Sequence, residues 1–332
     1  MTGWSVRDIP DQSGRNAVVT GANSGLGYVT ARELARKGAR VLLACRSEAR
    51  GRAAVERLRR EVPDGDVQLG LLDLGELASV REFAGSLPYE RLDLLVNNAG
   101  VMALPYGTTV DGFETQFGVN HLGHFALTGL LLPALLAAAE GRPAEGRPVD
   151  GRPVDGHSAA GPDGARVVTV SSMVHLLGNI DLHDLNSERR YRRWTAYGRS
   201  KTANLLFTHE LARRLAAAGS DLVAAAAHPG YADTNLQTAG PRAEGRRVAE
   251  RLMALGNRVI AQSAEAGALP ALYAATAPGV RPDSFTGPSL AMWRGAPAPS
   301  RRASWTLDDR AGERLWSASE QLTGVFYDAL KA

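Results

Sequence analysis

Apolar positions along this chain follow two alternating rhythms, one suited to strands and one to helices. Asn16–Thr20 is a short β-prone run, and Gly25–Lys37 follows with helical spacing. Arg40–Ala44 is a second apolar run, Glu48–Arg60 an arginine-rich helix, Val67–Leu72 a third strand, Leu77–Ser86 a third helix and Leu92–Asn97 a fourth strand. Beyond these, the pattern predicts helix over most of Asp111–Ala139, a strand at Arg166–Ser171, a long helix over Ala196–Ala218 and an all-apolar strand at Leu222–Ala227. Continuous apolar runs of this kind suit strands buried on both faces. The β-α alternation therefore predicts one α/β domain over residues 1–332: a doubly wound parallel sheet of about seven strands, with helices on both faces. Six strands are visible, and the seventh is expected in the later region.

Two stretches break the rhythm. Within residues 140–164, Glu140-Gly-Arg-Pro-Ala, Glu145-Gly-Arg-Pro-Val and Asp150-Gly-Arg-Pro-Val repeat, which reads as a flexible surface insertion. Residues 235–332 read as a variable substrate-lid and C-terminal region. Inside it, Arg242–Ile260 has the pattern of a basic amphipathic helix, suited either to a lid or to an ordinary surface helix. Phe125–Ala139 is the most apolar stretch. It is short for a membrane span and contains Pro133, so a buried helix is expected.

Composition narrows the class. Hydrophobic residues make up 44% of the chain, enough for a sizeable core. The 38 basic and 35 acidic residues nearly balance, and the basic ones are scattered, which argues against nucleic-acid binding. Cys45 is the single cysteine; it lies in an apolar run, excludes an internal disulfide and fits a reducing compartment. No apolar leader is visible at the N-terminus, so a soluble, cytoplasmic protein without a membrane span is expected.

Chemistry enters at the first strand-to-helix turn. Gly21, Asn23, Ser24, Gly25, Leu26 and Gly27 form a Gly-x-x-x-Gly-x-Gly turn. Its glycines allow close backbone approach to a pyrophosphate, and the helix start offers N–H groups to the anion. In NAD binders an acid about 20 residues further on accepts hydrogen bonds from the ribose. Here that place holds Arg46, with Arg50 one turn on. A guanidinium suits a 2′-phosphate, so NADP(H) is expected rather than NAD(H), the competing view being that Arg46 is one surface arginine among many.

Tyr197 and Lys201 are four residues apart, on one face of a helix. An ammonium nearby favours phenolate and would bring a phenol toward working range. Only Lys37, Lys201 and Lys331 are lysines among the 38 basic residues, which makes a lysine at this position informative. Ser171-Ser172 ends the Arg166 strand, where ligands sit in parallel sheets. A turn role is the plain alternative for this pair, and without a Gly-x-Ser-x-Gly elbow a serine hydrolase is disfavoured. His121 and His124 lack a third ligand, so no metal is expected. Tyr191 and Trp194 could line a substrate mouth or be structural.

Together these pieces resemble the short-chain dehydrogenase/reductase family. The resemblance is carried by Thr20-Gly-Ala-Asn-Ser-Gly-Leu-Gly27, Asp73-Leu74, Asn97-Asn98-Ala99-Gly100, Asn120, Ser171-Ser172, Tyr197 with Lys201, and Pro229-Gly230, in order over roughly residues 14–235. It implies a Rossmann fold and a catalytic set of Asn120, Ser172, Tyr197 and Lys201. Asp73 and Leu74 would sit at the adenine, with Asn97, Ala99 and Gly100 along the adenosine side. Asn120 would hold a water linking Lys201 to a proton relay. Lys201 would bond the nicotinamide ribose, and Pro229, Gly230 and Thr234 would contact the nicotinamide end. Ala44-Cys-Arg46, Val119-Asn-His-Leu-Gly-His-Phe125, Asp181-Leu-His-Asp-Leu185 and Lys201-Thr-Ala-Asn-Leu-Leu-Phe207 resemble the retinol-dehydrogenase-like branch. The membrane-anchoring N-terminal segment of many such enzymes, residues 140–164 and the region after 235 do not match that branch.

The expected activity is reversible carbonyl/alcohol hydride transfer on a small molecule, in a homodimer or homotetramer. A non-catalytic NADP(H)-binding sensor and a nucleotide-sugar epimerase-like enzyme are the alternatives; the intact Asn-Ser-Tyr-Lys set weighs against the first and Arg46 against the second.

Overall fold

The computed structural model describes residues 3–140, 164–231 and 262–331. Within them an eight-stranded sheet runs β3-β2-β1-β4-β5-β6-β7-β8. The strands are β1 (Asn16–Thr20), β2 (Arg40–Cys45), β3 (Val67–Leu71), β4 (Leu94–Asn97), β5 (Arg166–Val170), β6 (Val223–Ala227), β7 (Phe285–Leu290) and β8 (Arg294–Pro299). The first seven are mutually parallel, and β8 returns antiparallel to β7. Strand order reverses beside β1, which has β2 on one side and β4 on the other. The crevice beyond their carboxyl ends is where ligands bind in such sheets.

Alternation along each strand builds two cores. On β2, Val41, Leu43 and Cys45 face α1 (Gly25–Arg36), α2 (Glu48–Glu61) and α7 (Ala264–Thr276). Leu42 and Ala44 face the opposite layer of α3 (Leu77–Gly85), α5 (Gly123–Glu140), α6 (Arg193–Ala217) and α8 (Asp309–Thr323). Phe125 anchors that second layer, with Phe207, Trp316 and Tyr327 around its ring. Cys45 is buried, and burial pushes its thiol up to about 11.

The sheet has one strand more than the seven expected. In β8 the sequence Arg-Gly-Ala-Pro-Ala-Pro carries Pro297 and Pro299, residues that normally argue against a strand and are tolerated at an edge. Beyond it, the Ser300 N–H donates back to Phe285 O at 2.8 Å.

Helix fills most of the expected Asp111–Ala139 stretch, beginning at Thr115 with α4 (Thr115–Phe117). The buried Glu114 carboxylate accepts from the N–H groups of Gln116 and Phe117 and so fixes that start. A π turn, Gly118–Leu122, then leads into α5. The run Thr115–Glu140 is long and apolar enough to cross a membrane by length and composition, and 61% of its most apolar window is buried inside the protein. Helix α6 starts at Arg193, three residues before the expected Ala196. Most of the 140–164 repeat and all of Arg242–Ile260 lie outside the described residues.

Candidate active site

A cavity of about 740 Å³ opens at the carboxyl ends of the central strands. One side is the glycine turn. Gly21 has a φ of +67°, and a Cβ on it would stand 3.0 Å from Ala99 Cα. A Cβ on Gly27 would lie 2.5 Å from Asn98 Nδ2 and 2.6 Å from Gly21 O. These contacts explain why the turn needs glycine at both places. Ser24 caps α1 without a side-chain hydrogen bond, so the positive end of the helix faces a wall formed by Ser24, Gly25, Leu26 and Gly27.

Thr20 joins this turn to the next loop. Its hydroxyl accepts from the N–H groups of Asn98 and Ala99, both at 2.9 Å, while Asn98 Nδ2 donates to Thr20 O at 2.8 Å. Asn98, Ala99 and Gly100 line the cavity. Asn97, expected there, does not: its side chain is buried and Nδ2 donates to Thr128 Oγ1 at 3.0 Å. Consecutive residues at a strand end point to opposite faces, and Asn98 takes the cavity side.

The far end of the cavity is cationic. Arg46 and Arg50 line it, and the Arg46 side chain is 65% exposed. Arg46 Nε stands 4.0 Å from Asp73 Oδ2, while Asp73 Oδ1 accepts from the Gly75 N–H. Asp73 and Leu74 both line this part.

The other end gathers Ser172, Tyr197, Lys201, Pro229 and Gly230. Tyr197 and Lys201 sit one turn apart on α6, with Lys201 Nζ 5.8 Å from the centre of the Tyr197 ring. The ammonium donates to Val170 O at 3.0 Å. Ser171, beside Ser172, spends its hydroxyl on Lys201 O, to which it donates at 2.9 Å. Ser172 Oγ accepts from the Val174 N–H at the start of a 3-10 turn, Met173–Leu177, and also hydrogen-bonds Tyr197.

Asn120 occupies the π turn. Its Nδ2 donates to Val101 O and Ser200 Oγ, and its Oδ1 accepts from the Val101 N–H. The carboxamide is thus engaged in local bonds and does not line the cavity. It remains close to Lys201: a Cβ on Gly100 would lie 3.0 Å from Asn120 Oδ1 and 3.5 Å from Lys201 Nζ.

Trp194 stands edge-on to Tyr197, ring centres 6.3 Å apart, and with Met102, Met173, Val174 and Tyr231 forms an apolar mouth. Tyr191 is structural instead: its hydroxyl donates to Leu104 O and lies 3.2 Å from Glu114 Oε1. Thr234 lies outside the described residues. No three His, Cys, Asp or Glu side chains gather as a metal site among the described residues. His121 bonds Ser319, and His124 bridges Thr20 Oγ1 and Asn120 O.

The short chain dehydrogenase profile matches residues 15–143. Human retinol dehydrogenase 12 is 40% identical over 95% of this chain and 88% of its own length. The chain belongs to the short-chain dehydrogenase family. Mouse polyprenol dehydrogenase, another of this dehydrogenase's relatives, is 40% identical over 96% of the chain and 86% of its own length. Among solved structures, an uncharacterised protein from Mycobacterium paratuberculosis is 44% identical, with a TM-score of 0.74, over 98% of this chain and 99% of that one. Pseudomonas aeruginosa RhlG, solved as an NADP complex, is 26% identical with a TM-score of 0.55, over 80% and 90% of the two chains. This short-chain dehydrogenase is accordingly an oxidoreductase of alcohol and carbonyl groups, in a family that binds nicotinamide cofactors.

The electrostatics of the dehydrogenase's site differ from the sequence expectation in one respect. Burial pushes the Tyr197 phenol up to about 12, and the group pulling it down is the Ser172 hydroxyl. Lys201 is itself buried, and loss of water brings its ammonium down to about 8. In the protein alone, desolvation of the phenol thus outweighs the pull of the Ser172 hydroxyl. Glu114, His175 and His228 lie buried around this site with no spacing rule to mark them, whereas Asn98 and His124 stand inside motifs already visible in the sequence. His228 has a hint of its own in its strand-end place, directly before Pro229-Gly230.

Proposed function

We propose that this chain is an NADP(H)-dependent oxidoreductase that interconverts a carbonyl and an alcohol, with Tyr197 as general acid/base. The observation that carries the reading is one cavity with a phenol, a serine hydroxyl and a lysine at its apolar end and arginines at the other. The residues fit such a cofactor. Gly21, Asn23, Ser24, Gly25, Leu26 and Gly27 would cradle the pyrophosphate, and Arg46 with Arg50 would pair with a 2′-phosphate. Asp73, Leu74, Ala99 and Gly100 would hold the adenosine side, and Lys201, Pro229 and Gly230 the nicotinamide end. Bound there, the cofactor supplies or takes up the hydride.

The chain's own part is the proton. Tyr197 Oη gives a proton to the substrate oxygen during reduction and accepts one during oxidation. Ser172 Oγ, bonded to the same phenol, polarises that oxygen. With its ammonium brought down to about 8, Lys201 exchanges a proton near neutral pH and restores the phenol. Asn120 holds the wall beside Lys201 Nζ rather than offering a free side chain. Trp194 and the methionines keep water from the reacting carbon and favour an apolar substrate face.

The NADP complex of RhlG supports the cofactor choice, and the retinol and polyprenol dehydrogenases support the alcohol/carbonyl chemistry. Tyr197→Phe tests the assignment. Turnover in an NADPH-oxidation screen of aldehydes and ketones should fall about 10²–10⁴-fold while NADPH binding persists. Full activity in this variant would overturn the role.

A further inference from the structure

We infer that His175 and His228 are a pair of positioning residues that tie two active-site loops, at Ser172 and Gly230, to one stretch of chain, Ser300–Ala303, just past β8. The inference rests on the proposed roles of Ser172 and Gly230 and adds the means by which their relative placement is set.

The ring bonds are polarised by backbone donors. The Ala303 N–H donates to His175 Nε2 at 3.2 Å. A backbone N–H only donates, so Nε2 carries a lone pair and the neutral ring has its hydrogen on Nδ1. That Nδ1–H donates to Ser172 O at 2.6 Å. His228 is set the opposite way. The Gly230 N–H donates to its Nδ1 at 3.1 Å, which leaves Nε2–H to donate to Ser300 Oγ at 2.7 Å. One histidine thus grips the serine loop and the other the glycine loop, and their outer nitrogens meet residues three apart on the same segment.

Packing makes the arrangement specific. Phe285 packs against both rings, 5.5 Å from His175 at 88° and 5.0 Å from His228 at 41°. Both histidines are buried. Strand β7 carries Gly287 beside His228, and a Cβ there would overlap the imidazole. Gly230 has a φ of +67°, and its Cβ would run into Trp293 O, so this loop too is built for close approach. Burial holds both rings below the usual imidazole range, His228 at about 4, which preserves the lone pairs that the two N–H groups need.

The β7–β8 hairpin and the segment after it therefore act on the site. Shifting Ser300–Ala303 would move Ser172, which meets Tyr197, and Gly230, which borders the nicotinamide end, together. A change in either ring should separate the two effects.

Two measurements test this. In protein labelled with ¹⁵N-histidine, a long-range ¹H–¹⁵N correlation at neutral pH should show His175 as the Nδ1–H tautomer and His228 as the Nε2–H tautomer. Signals are assigned by their loss in His175→Phe and His228→Phe. In kinetics, His175→Phe should lower kcat about 10–100-fold with NADPH affinity nearly unchanged, because the serine is displaced and the cofactor wall is not. His175→Asn, which puts a donor where Nδ1 stood, should recover most of that loss. His228→Phe should weaken NADPH binding roughly tenfold, measured by cofactor fluorescence, and His228→Asn, whose Oδ1 can accept from Gly230, should restore it. The inference is overturned if either tautomer is reversed, or if both Phe variants keep kcat and NADPH affinity at wild-type values. If the wild-type protein reduces no carbonyl at all, the functional reading fails separately, and the tautomers still decide the bonding.

Discussion

Lys201→Met should make this protein more stable and less active at the same time. In the folded chain Lys201 is 4% exposed, and burial lowers its amine from 10.5 to about 8. At about 1.4 kcal/mol per tenfold change in the proton equilibrium, keeping the charged form inside costs about 3 kcal/mol. The sign follows from the two states. The unfolded amine keeps its proton up to 10.5 and the folded one only to about 8, so the cost is whole below pH 8, shrinks between 8 and 10.5 and vanishes above. Against it stands one hydrogen bond to Val170 O, worth about 1–2 kcal/mol. That carbonyl also accepts from Asn204 Nδ2 at 3.2 Å, so methionine leaves no orphaned acceptor. The net gain should be about 1–2 kcal/mol, or roughly 2 °C in Tm for a chain of this size. Calorimetry at pH 7 and pH 10 reads it, with the difference narrowing at the higher pH. NADPH oxidation should meanwhile fall at least about 100-fold. A variant melting below the parent at pH 7, or with an advantage independent of pH, would show that the ammonium is not an uncompensated buried charge.

Other expectations follow from the cavity's two ends. Arg46→Ala should raise the KM for NADPH about 10–100-fold and leave that for NADH nearly unchanged; steady-state kinetics with both cofactors decides, and an equal effect on the two would reject 2′-phosphate pairing. Gly27→Ala would place a Cβ 2.5 Å from Asn98 Nδ2 and 2.6 Å from Gly21 O. It should cost about 1–3 kcal/mol in calorimetry and weaken NADPH in a fluorescence titration, and an unperturbed variant would refute the close-approach account of the turn.

The parts of the molecule governed by simple periodicity were legible from the chain. β1 to β6 announce themselves as apolar runs, and the i, i+4 spacing of Tyr197 and Lys201 does put both at one end of the cavity. What escaped depends on tertiary context. β8 has two prolines and a glycine in six residues, and only pairing with β7 makes it a strand. Helix α7 hides because its apolar positions run nearly all round and Pro270 falls inside it, whereas α8 was within reach of the sequence, with Asp308 as its cap and Gly324 as its stop. The choice between Asn97 and Asn98 turns on which side of β4 faces the cavity, which two neighbouring asparagines do not declare. The phenol's upward shift comes from burial, and burial is a property of the fold. Asn120's engagement with Val101 and Ser200 likewise exists only once the π turn has formed.

The prolines of β8 have a consequence for how copies of this molecule can meet. Since the Ser300 N–H points inward at Phe285 O, alternation turns the backbone nitrogens of residues 297 and 299 outward. Both are proline, so the outer margin of the sheet has no hydrogen to offer at two successive sites where an added strand would seek one. The sheet closes itself off on this side. Any self-association there must use side-chain surfaces, because a continuous ladder across two molecules would find those rungs missing.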